Sequence, residues 1–340
     1  MLAAYTTLRL GGPAGTVTTA ADTGEAVAAV RRATAQGRPL LVLAGGSNVV
    51  IGDAGFAGEV LLLRNGGIEV VAEEAGEVLV RVASGEPWDQ FVGYAVERGW
   101  SGVECLSGIP GAAGATPIQN VGAYGQEVAH TIEAVHAYDR IEDEQLVMTP
   151  HECRFGYRSS VFKHNDRYLV TAVDFRLAVD GLSAPIRYAE LARQLGVETG
   201  DRVPVEQARQ TVLKLRAGKG MVLDPEDRDT WSVGSFFTNP VVSAAFFAEL
   251  TAARGELPHW PGTDGTVKIP AAWLIEHAGF PKGFAGDGVA ISGKHTLALT
   301  NRGTGDTAAL LDLARTIRDG VRDRFGVELH PEPVLIGCAL

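Results

Sequence analysis

The sequence predicts an α+β protein of two or three domains, and three observations carry that expectation. At 340 residues the chain is longer than one hydrophobic core comfortably organises. Its first half reads mostly as short apolar strands, whereas helical periodicity interleaved with short strands takes over from about Pro204. Between about Leu182 and Val203 glycine, proline and charge rise, as they do at domain boundaries.

The elements follow in order. Asp22 with Glu25 resembles a capping box, and Ala26, Val27, Val30 and Ala33 recur at helical spacing until Gly37 and Pro39 stop the helix. Leu40 to Ala44 reads as a buried strand, followed by strands at Glu59–Leu63, Ile68–Val71 and Val78–Ala83. Ser84 is placed to cap a helix that carries Trp88, Phe91, Val92 and Ala95 inward and ends at Gly99. Strands are expected at Ile132–Tyr138 and Tyr168–Leu177. Helices are expected from Pro204 to about Arg216, after Ser243, over Ala271–His277, and over Thr307–Phe325 with Leu310, Leu311, Leu313, Ile317 and Val321 as its core face.

Composition removes several functional classes. The net charge of −11 argues against general nucleic-acid or anionic-membrane binding, both of which need a basic face. Cys105, Cys153 and Cys338 are scattered and odd in number, which fits a reducing cytosol and offers no metal site or disulfide framework. Apolar runs are broken well before membrane-spanning length, and the first residues lack a signal-peptide pattern. A soluble cytoplasmic protein is expected.

The run C-L-S-G-I-P-G-A-A-G-A-T-P-I-Q-N-V-G-A-Y-G, Cys105 to Gly125, offers bare backbone whose N–H groups can close around an anion such as a pyrophosphate. A second bare piece, Gly45-Gly46-Ser47-Asn48, directly follows the apolar run from Leu40. Either alone also fits a tight turn, but both stand next to strands, and together they read as one cradle for a phosphate-bearing ligand. In W-S-V-G-S-F-F-T-N-P, Ser235 is either a turn cap or a functional hydroxyl, and it is not a nucleophile elbow. Glu332, between two prolines, has a stiffly held backbone, which fits an aimed carboxylate or a solvated charge alike. Lys214, Arg216 and Lys219 end a predicted helix, where the macrodipole favours cations and a diphosphate would use them equally well.

These stretches, with T-L-R-L-G-G near the start, C-R-F-G-Y-R-S-S-V-F-K from Cys153 and the closing P-E-P-V-L-I-G, occur together and in order along nearly the whole chain. In this the chain resembles the UDP-N-acetylenolpyruvoylglucosamine reductase family, flavoenzymes of bacterial cell-wall precursor synthesis. The resemblance implies an FAD-binding domain of the vanillyl-alcohol-oxidase (PCMH) type over residues 1–182, made of two α+β subdomains at roughly 1–58 and 59–182. It further implies a C-terminal α+β substrate-binding domain over 204–326, with 327–340 returning to the FAD part. Gly45, Gly46, Ser47 and Asn48, and Gly108, Ile109, Pro110, Gly111, Ala115, Gln119, Asn120 and Gly122, resemble the FAD contacts. The first glycine loop holds no histidine or cysteine to tether a flavin, so non-covalent FAD is implied, with NADPH as hydride donor.

By the same resemblance Ser235 corresponds to the proton donor, Arg158 and Glu332 to the pair flanking the enolpyruvyl group, and Tyr157, Tyr188, Lys219, Asn239 and His295 to substrate contacts. The implied reaction takes a hydride from FAD N5 to the enolpyruvyl methylene and a proton from Ser235 to the adjacent carbon. The implied partner is a small nucleotide-sugar, with no metal, nucleic acid or membrane, and the implied state is a monomer.

Overall fold

The computed structural model describes residues 1–262 and 264–340. They form two compact units: one of Ala14–Gly46 with Phe56–Val222, the other of Met1–Pro13, Ser47–Gly55 and Leu223–Leu340.

In the first unit, strands Ala14–Ala20, Phe56–Leu63 and Leu40–Leu43 make a parallel sheet with Phe56–Leu63 in the middle. The α-helix Thr23–Ala35 covers it, with the Asp22 side chain accepting from the Glu25 N–H at 2.8 Å. Its Ala26, Val27, Ala29, Val30 and Ala33 face Ala20, Leu61 and Leu63. These small residues let helix and sheet approach closely.

A larger antiparallel sheet runs in the order Glu144–Met148, Ile132–Asp139, Tyr168–Val179, Glu77–Ala83, Ile68–Glu74. Val78, Val80 and Val82 alternate inward on Glu77–Ala83, as a half-buried strand requires. They meet Trp88 and Phe91 of the α-helix Trp88–Glu97. Trp88, Phe91 and Phe175 stack at centroid distances of 5.1 to 5.7 Å. Pro87, not Ser84, stands at the start of this helix. The buried Ser84 hydroxyl donates to Asn65 Oδ1 instead, so the expected cap is corrected.

The boundary expected between Leu182 and Val203 is not where the units part. The α-helices Ala189–Leu195 and Val205–Gly218 bury Leu191, Ala192, Ala208 and Val212 with Ile186, Val203 and Cys105 in one core. That core ties the stretch to the first unit, and the division falls at Val222/Leu223.

The second unit is organised by the α-helix Thr307–Phe325, whose Leu310, Leu311, Leu313, Ala314, Ile317, Val321 and Phe325 are all buried. Around it stand the α-helix Ala271–His277, the hairpin Val289–Ile291 with Leu299–Asn301, and a three-stranded sheet of Val241–Ser243, Thr266–Lys268 and Trp260–Pro261. The strand Val334–Ile336 pairs in parallel with Val49–Ile51. Asp53, just beyond that strand, accepts from the Thr307 and Ala308 N–H groups, both at 2.9 Å, where the helix dipole favours a carboxylate. Residues 1–13 and 47–55, expected in the FAD part, thus fold with 223–340.

Candidate functional site

In the first unit the two bare segments meet. A β-carbon built on Gly45 would lie 2.6 Å from the Gly111 Cα, so the backbones touch with no room for a side chain. Gly111 itself has φ +123°, outside what most residues adopt. The segment is laid against the chain at Ser84–Trp88: the Trp88 N–H donates to the Gly111 carbonyl at 3.0 Å, Ala113 N–H to Glu86 and Gly114 N–H to Ser84, both at 2.9 Å. Among the described residues the N–H groups of Ile109, Gly111 and Ala112 have no acceptor. Unspent donors beside a backbone-to-backbone contact suit a phosphate-bearing group, so the residues present fit a flavin dinucleotide.

Part of the expected cradle is spent internally. The Gly108 N–H donates to Asp89 Oδ1 at 2.6 Å, and Asp89 also takes two Arg209 donors at 2.7 and 2.9 Å. Burial pushes the Asp89 carboxyl up, but Arg209 and the Gly108 N–H outweigh it and hold the group below the usual carboxylate range. The Ala115 N–H donates to the Ala112 carbonyl, and Gln119 Oε1 accepts from Lys163 Nζ at 3.4 Å. Asn120, at φ +46°, is a knot: its amide donates to Glu127 at 2.8 Å and Gly156 at 3.1 Å, and its oxygen accepts from Ala129.

That knot positions Arg158. Its Nη2 donates to the Gly122 carbonyl at 2.6 Å and its Nη1 to the Asn120 carbonyl at 3.4 Å. A β-carbon on Gly122 would press on Arg158 Nη1 at 3.0 Å. The exposed ring of Tyr157 lies 5.4 Å from the guanidinium carbon. A planar guanidinium presents a fork of donors that matches the geometry of a carboxylate.

Lys219 and Tyr188 also come together in this unit. Lys219 Nζ donates to Glu190 Oε2 at 2.6 Å and stands 5.6 Å from the Tyr124 ring, which meets Tyr188 edge-on at 5.4 Å. Burial lowers the Lys219 ammonium, but Glu190 and the neighbouring phenols raise it above its ordinary value, and burial pushes the Tyr124 phenol up. Tyr124 and Glu190 carry no signal in the sequence beyond lying near the motifs. Only the packing of the segment at Tyr124 against the α-helix Ala189–Leu195 shows their part.

The second unit holds Ser235, Glu332, Asn239 and His295. The segment from Ser235 runs between two neighbours. Phe236 N–H donates to the Leu297 carbonyl at 2.7 Å, and the Phe236 carbonyl accepts from the Glu332 N–H at 2.8 Å. Ser235 and Glu332 therefore lie on adjacent extended segments, anchored by Phe236 and Phe237, which are fully buried and pack edge-to-face at 5.1 Å. Among the described residues no partner engages the half-buried Ser235 hydroxyl. Asn239 Oδ1 accepts from the Ala271 N–H at 2.9 Å and so supports the start of the α-helix Ala271–His277. His295 lies in the turn that ends at Ala298, whose N–H it accepts at 3.1 Å. Arg158 belongs to the other unit.

Among the described residues no group of three or more His, Cys, Asp or Glu is placed to hold a metal ion, and no helix is long and apolar enough to cross a membrane. All three cysteines are free; burial pushes the Cys153 thiol up to about 12 and raises Cys105 and Cys338 as well, so none is an activated nucleophile.

Residues 14–143 match the FAD binding domain family, which puts the chain among flavoproteins with this kind of domain. Residues 224–336 match the family described as UDP-N-acetylenolpyruvoylglucosamine reductase, C-terminal domain. A UDP-N-acetylenolpyruvoylglucosamine reductase of Salinispora arenicola is 60% identical over 345 aligned positions, covering 100% of this chain and 95% of its own. One from Thermobifida fusca is 54% identical, covering 100% and 97%. The crystal structure of the Thermus caldophilus UDP-N-acetylenolpyruvylglucosamine reductase matches with a TM-score of 0.67 at 24% identity, over 99% of this chain and 97% of that one, and shows the same fold. The chain belongs to the UDP-N-acetylenolpyruvoylglucosamine reductase family of oxidoreductases. Its fold is the expected α+β one, an FAD-binding domain of the vanillyl-alcohol-oxidase type with an α+β domain characteristic of this family.

Proposed function

We propose that the protein reduces the enolpyruvyl ether of UDP-N-acetylglucosamine-enolpyruvate to UDP-N-acetylmuramate, using NADPH and non-covalently held FAD. The observation that carries the reading is the Phe236–Glu332 hydrogen bond, which sets a hydroxyl and a carboxyl on neighbouring strands of a rigid aromatic core. Gly45, Gly46, Ser47, Asn48 and the segment from Gly108 to Gly122 would hold FAD, which when bound supplies the hydride for the methylene carbon.

The remaining work falls to side chains. Negative charge grows on the carbon bearing the ether oxygen and spreads into the neighbouring carboxylate. Arg158 braces that carboxylate with its fork of donors. Ser235 delivers the proton to the carbon; a hydroxyl is a weak acid, but the acceptor is close to a carbanion, so the transfer runs downhill. Glu332, if protonated in its site, donates to the oxygen of the developing enolate. Lys219, with Tyr157, Tyr188, Asn239 and His295, grips the nucleotide-sugar, Lys219 exchanging its Glu190 partner for phosphate oxygens. The protein acts as a monomer in the cytoplasm, where substrate and NADPH are made.

The test is direct. NADPH should bleach the yellow purified protein, and the enol ether should restore the colour faster than oxygen does. Recovery at the oxygen rate would remove the enol ether as substrate, and a protein that takes up no flavin would remove the reaction.

A further inference from the structure

Glu104 is the buried acid that the reaction does not use. It opens the 3₁₀ turn Glu104–Leu106 and is fully buried. Among the described residues no Lys, Arg or His forms an ion pair with it. Three N–H donors surround it instead. Oε2 accepts from the Gly102 N–H at 2.6 Å, and Oε1 accepts from the Ala184 N–H at 2.7 Å and from Gln126 Nε2 at 2.8 Å. Gln126 returns a bond to the same turn, its Oε1 accepting from the Cys105 N–H at 2.8 Å. A buried carboxyl is costly unless hydrogen bonds complete it, and converging donors call for a group that only accepts.

These bonds join segments that are distant in the chain. Gln126 belongs to the hairpin of Gly122–Ala123 with Gln126–Glu127, whose tip residues Tyr124 and Gly125 have φ +48° and +84°. Ala184 lies in the segment that leads to Tyr188. The two segments meet again further on: a β-carbon on Gly125 would lie 2.8 Å from Arg187 Cβ, and the Tyr124 and Tyr188 rings touch edge-on. The hairpin also supplies the Gly122 carbonyl that receives Arg158 Nη2. The flavin segment is anchored separately, since Gly111, Ala113 and Gly114 bond to the backbone of Ser84, Glu86 and Trp88. What the Glu104 carboxyl clamps is therefore the pair of segments that carry substrate residues.

We propose that Glu104 is a positioning residue for the nucleotide-sugar. By tying the hairpin at Gln126 to the segment at Ala184 it fixes the Tyr124–Tyr188 ring pair and the carbonyl on which Arg158 rests. The inference rests on the reading above, in which Tyr188 and Arg158 contact that substrate.

Two variants test it. Glu104→Gln keeps the shape but turns one oxygen into a donor, so that one of the three N–H groups faces another N–H. Gln126→Met releases the hairpin alone and leaves the carboxyl with Gly102 and Ala184, so it carries the test if the first variant does not fold. UDP binding to flavin-loaded protein is measured by calorimetry, and flavin reoxidation by the enol ether by stopped flow. Either variant should retain its flavin, weaken UDP by about 10- to 100-fold, the range of a lost hydrogen bond to a charged group, and raise KM for the enol ether in parallel. Combining Glu104→Gln with Gln126→Glu again sets an amide donor against a carboxyl and should recover part of the UDP affinity. In a Tyr188→Ala background the loss caused by Glu104→Gln should shrink, because both act through one contact. Full additivity with Tyr188→Ala, or unchanged UDP affinity in a variant with a lowered melting temperature, would make Glu104 structural and overturn the proposal while leaving the reaction intact. A wild-type protein that binds UDP but is not reoxidised by the enol ether would overturn the reaction, and a wild-type protein that binds neither would overturn both.

Discussion

Replacing Gly45 with alanine tests whether the contact between the two glycine segments holds FAD. The added methyl would sit 2.6 Å from the Gly111 Cα and 3.2 Å from the Gly111 N and C, all backbone atoms that cannot rotate away. The segments must part by about 0.8 Å before the closest approach reaches the 3.4 Å of ordinary contact. Overpacking of this kind costs about 1–3 kcal/mol. Because Gly45 is not at positive φ, the cost is contact and not backbone strain. If that cost falls on the flavin-bound geometry, FAD affinity drops by about 5- to 150-fold. Flavin content per protein after purification, and titration of stripped protein with FAD, measure it. Gly218→Ala is the control: it lies in a helix with nothing within 4 Å, and alanine there should be neutral or slightly stabilising. A Gly45→Ala protein that keeps stoichiometric flavin and its melting temperature would show that the meeting of the two segments has nothing to do with the cofactor.

Three further outcomes are expected. Ser235→Ala should leave flavin reduction by NADPH nearly intact and slow flavin reoxidation by the enol ether about 10²–10⁴-fold, with Ser235→Cys recovering part of the rate; stopped-flow absorbance separates the two, and equal slowing of both would give the serine a positioning role. Lys219→Ala and Tyr188→Phe should raise KM for the nucleotide-sugar with flavin content and melting temperature almost unchanged; a lower melting temperature at unaltered KM would make the Lys219–Glu190 pair structural. Asp174 is buried, which favours its neutral form, but Arg81 at 2.8 and 2.9 Å and His136 at 2.9 Å outweigh this and bring its pKa from 3.8 to about 2. Its folded value is the lower one, so its contribution, about 2 kcal/mol, is fully present above pH 4 and lost as pH falls through about 2. Melting temperatures between pH 2 and 5 should therefore fall less steeply in Asp174→Asn, and identical slopes would show that the pair does not govern acid stability.

What the sequence made legible was what repeats locally. The helix Thr307–Phe325 and the strand Glu77–Ala83 announce themselves through periods near 3.6 and 2, because one face of each is buried and the other is not. Ala14–Ala20 escaped notice because six of its seven residues are glycine, alanine or threonine and most are exposed. Val334–Ile336 is three residues long, and its partner lies near the other end of the chain. The rise of glycine, proline and charge after Leu182 marked a loop, not a division, since Leu191, Ala208 and Val212 bury themselves backwards against Cys105. The order of the glycine motifs pointed to the candidate flavin site, but residue type alone did not separate ligand contacts from internal ones. Asn120 spends its amide on Glu127 and Gly156, and Asn239 its oxygen on Ala271.

The pairing of Val334–Ile336 with Val49–Ile51 also sets an order of assembly during synthesis. The two partners are separated by roughly 285 residues, so at the usual 5–20 residues per second about 15–60 s pass between their emergence from the ribosome. Throughout that interval the unit built from Ala14–Gly46 and Phe56–Val222 can already close, while Ser47–Gly55 waits as a strand without a neighbour and with Asp53 lacking the helix start it will hold. An open strand edge is a template for pairing with other chains. The nascent protein is thus most exposed to misassembly, and most in need of a chaperone, after its larger unit is finished and before its last dozen residues arrive.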